Sequence, residues 1–192
     1  ILSCVMQEPT DEQLMMQYGD GDYSAFETLY RRHRSPLLRY LTRQLRNRTQ
    51  AEELFQEVWI KLIDARGRYH NSAQFRTYLY HIAHHVMIDH YRKISKKHET
   101  AAGETDSLER IADPVSNPER QASGRDQVQT LLELVDSLPE QQRETFLLKE
   151  EAGLTVEEIA TAMQTGTETV KSRIRYAMAK LRSGLEARYG RP

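Results

Sequence analysis

The sequence predicts an all-α protein made of two small helical domains, and three features carry that prediction. Apolar residues recur at helical spacing along most of the chain, whereas no segment alternates in the manner of a strand. Between the two helical parts, 98–122 is rich in acidic and small residues, contains two prolines and lacks aromatic residues, which is typical of a linker. A length of 192 residues accommodates two such units.

The predicted boundaries follow from that division. Residues 1–10 form an N-terminal tail, 11–97 the first domain, 98–122 the linker and 123–190 the second domain. The start of the chain lacks the basic flank and apolar core of a secretory signal, and no stretch approaches the roughly 18 apolar residues of a membrane span. A single cysteine, Cys4, excludes an internal disulfide and is compatible with a reducing cytoplasm.

In the first domain, an apolar stripe predicts either one long helix bent at Pro36 or two abutting helices. Its members are Phe26, Leu29, Tyr30, His33, Leu37, Leu38, Leu41 and Leu45. Thr49 to Glu52 fits a capping box and predicts a helix from about Thr49 to Ala65. Gly67 ends it, Ser72 can cap the next, and a long helix then runs from Phe75 toward Lys97.

The second domain shows a similar alternation of stripes and stop signals. Apolar residues of its first helix share one face: Val128, Leu131, Leu132, Val135 and Leu138. Pro139 opens the next helix, and Thr155 to Glu158 is a capping box for a short helix with Ile159, Ala160 and Met163 inward. Gly166 turns the chain and Thr167 can cap a final helix, whose inward side is Val170, Ile174, Ala177 and Leu181.

Charge is segregated along the chain although the net charge is only −1. Seven arginines and no acid lie between Arg31 and Arg48, and seven basic residues face only Glu186 between Lys171 and Arg191. A third basic cluster runs from Arg92 to Lys97. Such patches are either solvated faces or surfaces for an acidic partner such as nucleic acid.

The C-terminal short helix, turn and long helix predict a helix-turn-helix. A recognition helix needs small or polar residues in its first turn and basic residues that reach bases or phosphates. Together, six residues at the start of the final helix supply both kinds: Thr167, Thr169, Lys171, Ser172, Arg173 and Arg175. An ordinary basic surface helix is the competing interpretation.

Three segments together resemble a known family. LPEQQRETFLLKEEAGLTVEEIATAMQTGTETVKSRIRYAMAKLR is similar to region 4 of extracytoplasmic-function (ECF) sigma factors of the sigma-70 family. AEELFQEVWIKL is similar to region 2.2, and FRTYLYHIAHHVMIDHYRK to regions 2.3 and 2.4, in the family's order. The linker is too short for the region 3 domain of housekeeping sigma factors.

The resemblance implies a function and partners. Such a protein binds core RNA polymerase and directs promoter-specific initiation, melting the minus-ten element with one domain and reading the minus-thirty-five element with the other. It implies promoter DNA and an anti-sigma factor as further partners, a cytoplasmic location, possible retention at the membrane by the anti-sigma factor, no catalytic activity and no cofactor.

The resemblance also assigns residues. Region 2.2 would bind core polymerase through Glu52, Glu53, Gln56 and Glu57. Regions 2.3 and 2.4 would read the minus-ten element through Tyr78, Tyr80, His84, His85, Asp89, Arg92 and Lys93. Aromatic residues suit that task because they stack on bases. Phe75 is expected in the core instead. The six residues of the final helix would read the minus-thirty-five element.

Two other functions compete with a sigma factor. A stand-alone helix-turn-helix regulator would need a sensory or dimerising domain in place of the first domain. A metal-dependent enzyme could use His81, His85 and Asp89, which recur every four residues near His84 and His90. One line of ligands on one helix cannot surround a tetrahedral ion, however, so no metal site is expected and the histidines are assigned to the DNA-facing surface.

Overall fold

The computed structural model describes residues 8–70, 74–100 and 124–190, and in those ranges it contains α-helices, one 3₁₀ helix and no strand. The first half holds α1 (Asp11–Gly19), α2 (Tyr23–Leu45), α3 (Arg48–Asp64) and α4 (Phe75–Thr100), with the 3₁₀ helix Arg66–Arg68 before α4. The second half holds α5 (Gly124–Asp136), α6 (Glu140–Glu150), α7 (Val156–Ala162) and α8 (Thr167–Tyr189). The predicted all-α class is confirmed.

The first half is a bundle of α1 to α4 around one apolar core. The predicted stripes supply much of that core, including Leu29, Leu37 and Leu41 of α2, each without exposed surface. From α3, the buried members are Leu54, Val58, Trp59 and Leu62. Trp59 packs among Phe26, Tyr30 and Phe55, with ring centroids 4.9 to 6.1 Å from its own.

Pro36 lies inside one continuous helix, which settles the choice left open by the sequence. Proline lacks the N–H that would bond to the carbonyl of Arg32, so α2 tolerates one missing rung. Both ends of α2 have a defined cap. The Asp22 carboxylate accepts the Ser24 N–H at 2.9 Å, and Arg46 closes the helix in the left-handed conformation at φ 56°.

The capping box predicted at Thr49 is wrong. Asn47 is the N-cap of α3, with extended backbone and a side chain that accepts the Gln50 N–H at 3.0 Å. Asn is among the strongest N-cap residues, so the helix begins at Arg48 and includes Thr49. Glu52 contacts Arg48 at 2.9 Å instead of capping the helix.

The entry to α4 is held by α1. The Phe75 N–H, which is an orphan donor of the first turn, donates to the Glu12 carboxylate at 2.9 Å. Phe75 is fully buried, as expected for a core residue. Gly67 lies in the 3₁₀ helix after α3, so the predicted break is confirmed, whereas the predicted cap Ser72 lies outside the described residues.

The second half is smaller. Some of the sequence predictions for its helices are confirmed and others are wrong. The Thr155 capping box is confirmed, with hydrogen bonds in both directions between Thr155 and Glu158. Thr167 is not a cap, because Gly166 occupies that position and Thr167 is already helical. On α5 the predicted face is only partly buried, since Val128 remains 58% exposed while Val135 is covered.

The two halves pack against each other, α2 against α6 and α4 against α7. Nothing in the sequence pattern predicted those contacts. Within the described ranges, none of the helices combines the length and the apolar composition that a membrane span requires.

Candidate polymerase and nucleic-acid interfaces

The predicted polymerase-binding face lies on the outer side of α3. Glu52, Glu53 and Gln56 are exposed, opposite the buried Leu54 and Val58. Glu57 is half-exposed and lies 3.5 Å from Lys61. Ile60, one turn beyond Gln56, is 56% exposed and extends this face with an apolar residue.

The sequence analysis did not include Ile60 in this face. An isoleucine is unusual on a solvated helical face, and it falls outside the core stripe that Leu54, Val58 and Leu62 define. That departure from the stripe was the available signal. An exposed apolar residue flanked by acids is what a protein-binding surface offers.

The predicted minus-ten residues are spread over different environments on α4. Arg92 and Lys93 are exposed, and Tyr78, His85 and Asp89 are half-buried. Tyr80 and His84 are buried, with 1% and 8% of their surface exposed, because α2 and the second half cover that side of the helix. In this arrangement the seven residues therefore do not form one open surface.

Two of the half-buried members, Tyr78 and His85, line an open cavity of about 520 Å³ between the end of α3 and α4. Its walls include Lys61 and Arg68 as well as Tyr78, His81 and His85. Aromatic rings and cations in one concave surface suit a base with its phosphate. Lys61 and Arg68 were not predicted for this role. Lys61 lies in the segment similar to region 2.2, which was assigned to polymerase binding, and Arg68 lies outside the three segments that carried the resemblance.

The surroundings of His85 favour the neutral form of its ring. Partial burial lowers the pKa of His85, and its neighbours His81 and His84 lower it further. The His81 and His85 rings meet edge to face at 4.4 Å. His81 Nδ1 lies 3.1 Å from the Ala162 carbonyl of α7, so that nitrogen carries the proton and donates.

Hydrogen bonds to the second half engage one ring nitrogen of His81 and one of His84. His84 Nδ1 donates to the Glu144 carboxylate at 2.6 Å. Asp89 lies within 4.0 Å of Lys61 and Arg92. Among the residues that the structure describes, no group of three His, Cys, Asp or Glu side chains is placed to hold a metal ion.

The predicted minus-thirty-five residues share the first three turns of α8. Thr169, Lys171 and Arg175 are exposed, and Thr167, Ser172 and Arg173 are half-buried. Val170 anchors the opposite side of the helix in the core. The backbone turn before α8 has its left-handed residue at Gln164, φ 50°. Arg173 donates to Gln141 at 2.6 Å, and the Arg175 guanidinium lies 5.3 Å from the Tyr176 ring centre.

Comparison with known protein families gives two matches. The family described as "Sigma-70 region 2" matches residues 29–97. The family described as "Sigma-70, region 4" matches residues 129–181. The two matches fall on α2 to α4 and on α5 to α8, respectively.

Similar proteins cover nearly the whole chain. This chain is 30% identical to the RNA polymerase sigma-H factor of Pseudomonas aeruginosa, in a match that covers 88% of this chain and 91% of that protein. It is 27% identical to the ECF RNA polymerase sigma-E factor of Escherichia coli, over 88% and 90%.

Solved structures share the fold. CnrH in complex with the cytosolic domain of CnrY has a TM-score of 0.68 and 22% identity, over 92% of this chain and 97% of that one. The sigma factor RpoE from Bartonella quintana, solved with the anti-sigma factor NepR, has a TM-score of 0.69 and 19% identity, over 84% and 96%. A stand-alone regulator is not favoured, because sigma region 2 stands where its sensory domain would be. The chain therefore belongs to the sigma-70 family of RNA polymerase sigma factors, in its extracytoplasmic-function group.

Proposed function

We propose that this sigma factor divides promoter recognition between its two halves. The first domain, 11–97, binds core RNA polymerase through α3 and the minus-ten element through α4. The second, 123–190, reads the minus-thirty-five element through α8, and 98–122 joins them. The observation that carries this proposal is the presence of both sigma regions in one chain, each with an exposed face of suitable chemistry.

On α3, the polymerase contact combines the acids Glu53 and Glu57 with Gln56 and the apolar Ile60. These residues recur at three- and four-residue spacing and so share one side of the helix. The acids would steer α3 toward a basic surface, while burial of Ile60 on binding would contribute about 1.5–3 kcal/mol.

At the minus-ten element, the cavity beside α4 would take an unstacked base. Tyr78 and His85 offer ring faces for stacking, which is worth roughly 1–3 kcal/mol per base. Lys61 and Arg68 would hold the backbone phosphates of the same strand. The lowered pKa of His85 favours its neutral ring, which can accept a hydrogen bond from a base edge or donate one to it, depending on its tautomer.

At the minus-thirty-five element, α8 would enter the major groove with its N-terminal turns. Arg173 and Arg175 are long enough to reach base edges or phosphates, and the small Thr169 and Ser172 allow close approach. The Arg173 contact with Gln141 holds its side chain on the surface before DNA binds.

We further propose an anti-sigma factor as a regulatory partner and the cytoplasm as the site of action. The support is that CnrH was solved with the cytosolic domain of CnrY and RpoE with an anti-sigma factor. Sigma factors are initiation factors and not enzymes, so activity here means transcription by the holoenzyme.

The decisive test of the two-domain assignment is transcription from a promoter library by holoenzyme containing Arg173→Ala or Arg175→Ala. Loss of a base contact should cost about 1–3 kcal/mol and relax one position of the minus-thirty-five element. Loss of a phosphate contact should weaken all sequences alike and reduce the salt dependence. Arg182→Ala, an exposed arginine farther along α8, is the matched control. A change in minus-ten preference with unchanged minus-thirty-five preference would show that the assignment is wrong.

Polymerase binding is tested by reversing the charges of α3. The double variant Glu53→Lys and Glu57→Lys should bind core polymerase at least tenfold more weakly in a titration, because like charges then oppose the contact. Asp20→Lys combined with Glu27→Lys, two exposed acids outside α3, controls for the same change in net charge. Unchanged binding by the double variant, with helicity retained, would contradict the α3 assignment.

A further inference from the structure

Tyr176 of α8 is an exposed aromatic residue that was not among the predicted minus-thirty-five residues. More than half of its surface, 56%, is exposed. Among the residues that the structure describes, its hydroxyl has no hydrogen-bonding partner, whereas the hydroxyl of Tyr189 lies 2.7 Å from that of Thr130. An exposed tyrosine offers a large ring and a free hydroxyl at a low cost in conformational entropy, which suits a surface that binds a partner.

Tyr176 shares one line along α8 with two small residues that were assigned to DNA. Thr169, Ser172 and Tyr176 follow one another at three- and four-residue spacing, so their side chains are neighbours on the helix surface. The buried residues Val170 and Ala177 belong to a different side of the helix, which faces the domain core. If α8 enters the major groove along its line of small residues, the Tyr176 ring reaches the base edges as well.

The three basic residues at the start of α8 differ in whether another polar group already holds them. Lys171 forms an ion pair at 2.7 Å with a glutamate three residues earlier, and Arg173 donates to Gln141 at 2.6 Å. Arg175 has no hydrogen bond or ion pair with another described residue, but its guanidinium lies 5.3 Å from the centre of the Tyr176 ring. The N–H donors of Arg175 are therefore available to DNA.

The ring of Tyr176 can hold the long Arg175 side chain before DNA binds. A guanidinium within about 6 Å of a ring centre is attracted to the aromatic face, and this attraction takes up no hydrogen-bond acceptor of the protein. An arginine that is already held loses less rotamer freedom when it binds. Donation of two hydrogen bonds to O6 and N7 of guanine is the commonest specific contact of arginine in the major groove. The geometry thus suits Arg175 to read a guanine.

We propose that Tyr176 determines specificity at the minus-thirty-five element in two ways. Its ring positions the Arg175 guanidinium on a guanine, and it contacts the C5-methyl group of a thymine in the adjacent base pair. This inference rests on the proposed reading of DNA by α8. The thymine methyl is the apolar group that base pairs display in the major groove, and an aromatic ring is an apolar surface that can cover it. Arg175 and Tyr176 together then recognise two neighbouring base pairs.

The first test measures whether Tyr176 acts through Arg175. Transcription from a promoter library by holoenzyme containing Arg175→Ala identifies the guanine, because preference at that position should fall about tenfold. Tyr176→Ala should reduce the same preference about three- to fivefold, since the guanidinium is no longer held. Adding Tyr176→Ala to Arg175→Ala should change that preference by less than about twofold, because no guanidinium is left to position. Tyr176→Phe keeps the ring and should keep the preference.

A combination with Lys171→Ala is the matched control, because Lys171 lies on another side of α8 and its effect should multiply with that of Tyr176→Ala. If Arg175→Ala relaxes the guanine position and Tyr176→Ala does not, the positioning role is overturned while reading by α8 stands. If Arg175→Ala weakens all sequences alike, Arg175 holds a phosphate and the proposal is overturned as well. Unchanged minus-thirty-five preference in both Arg173→Ala and Arg175→Ala would instead contradict the proposed function of α8.

The second test removes the thymine methyl group from the DNA. Deoxyuridine in place of the thymine beside the guanine deletes one methyl group and leaves the base pairing unchanged. Holoenzyme with the original chain, or with Tyr176→Phe, should bind the substituted promoter about fourfold more weakly, because one apolar carbon is no longer buried. Holoenzyme with Tyr176→Ala should bind both promoters equally. The thymine contact is overturned if the original chain and Tyr176→Ala lose the same affinity, or if the library shows no preference for thymine beside the guanine.

Discussion

The two proposed DNA-reading helices differ in how much of their surface the fold already uses. α4 packs against α1, α3 and α7, and two of its predicted DNA residues are buried. α8 packs against α5, α6 and α7 but buries only Val170, Ala177 and Leu181, leaving its basic side chains at the surface. A helix that is packed on several sides can contact DNA only through the residues that its neighbours leave uncovered. A helix that is buried along a single stripe has its DNA-facing residues exposed before DNA binds.

The largest expected effect removes the anchor of α4. Phe75 is fully buried, with Tyr69 and His33 rings 6.4 and 5.1 Å from its own, so Phe75→Ala should destabilise the first half by about 3–5 kcal/mol. Trp59, the one tryptophan of the chain, lies in that half, and its fluorescence during urea unfolding reports the loss. Arg92→Ala, exposed on the same helix, is the control. If Phe75→Ala unfolds at the same urea concentration as the original protein, as read by Trp59 fluorescence, the proposed core role of Phe75 is contradicted.

The burial of Phe75 also shows what the sequence could predict. Core positions such as Leu54 and Val58 follow from helical period alone, because a helix fixes which side chains share a face. The Thr155 cap follows from a local hydrogen-bonding pattern for the same reason. The Asn47 cap was missed because Asn47 and Thr49 are both residue types that can cap a helix. Only the backbone conformation decides which of the two is the N-cap.

The contact between the halves could not be predicted. Tyr40 is 104 residues from its partner Glu144, and Gln44 is 99 residues from its partner Arg143. A buried carboxylate is recognisable only when its partners are known. The resemblance supplied DNA-facing residues on α4 but no information about which of them α6 would cover. Sequence motifs assign chemistry to positions, while accessibility depends on tertiary packing.

A smaller effect, also confined to the first half, concerns Asp11. Partial burial opposes its ionisation, but hydrogen bonds from His33 at 2.6 Å and Arg32 at 2.8 Å outweigh it and lower the pKa of Asp11 to about 2. A lowered folded-state pKa stabilises the protein above the unfolded pKa, and that stability is lost as the pH falls from about 4 through about 2.

Asp11→Asn should therefore lower the free energy of unfolding at neutral pH by about 2 kcal/mol and flatten its dependence on pH between about 4 and 2. Urea unfolding followed by Trp59 at several pH values measures both effects. Asp20→Asn, an exposed carboxylate near the end of α1, should change neither. An Asp11→Asn protein that retains the original slope would disprove the role of this carboxylate.

In the second half, the close approach of α5 to α8 depends on a glycine. A Cβ added at Gly184 would lie 2.3 Å from Leu134 Cδ2 and 3.2 Å from Leu134 Cγ, so the whole Leu134 side chain would have to move. Overpacking costs about 1–3 kcal/mol, against a helix-propensity gain of at most about 1 kcal/mol. Gly184→Ala should thus be destabilising by about 1–2 kcal/mol net.

Hydrogen exchange of α5 amides measures that change, and Leu134→Ala combined with Gly184→Ala should recover part of the protection. Ser183→Ala, exposed at the adjacent position, is the control and should leave α5 unchanged. A stabilising Gly184→Ala would mean that α5 can move away from α8 at no cost.

The smallest expected effect concerns the cap of α7, the helix that precedes and packs against the proposed reading helix α8. The Thr155 hydroxyl accepts the Glu158 N–H at 3.2 Å, and Thr155→Ala should cost about 1 kcal/mol of stability in the second half. Thr155→Ser keeps the hydroxyl and should keep most of that stability. Thr161→Ala removes a hydroxyl that only donates to the Glu157 carbonyl within the same helix, so it should be nearly neutral.

Because α7 fixes the angle of α8 through the turn at Gln164, Thr155→Ala should also weaken binding to every minus-thirty-five sequence equally, without altering the preferred bases. A changed base preference in the promoter library would mean that α7 itself contacts the DNA, and the contrast between a supporting α7 and a reading α8 would then be wrong.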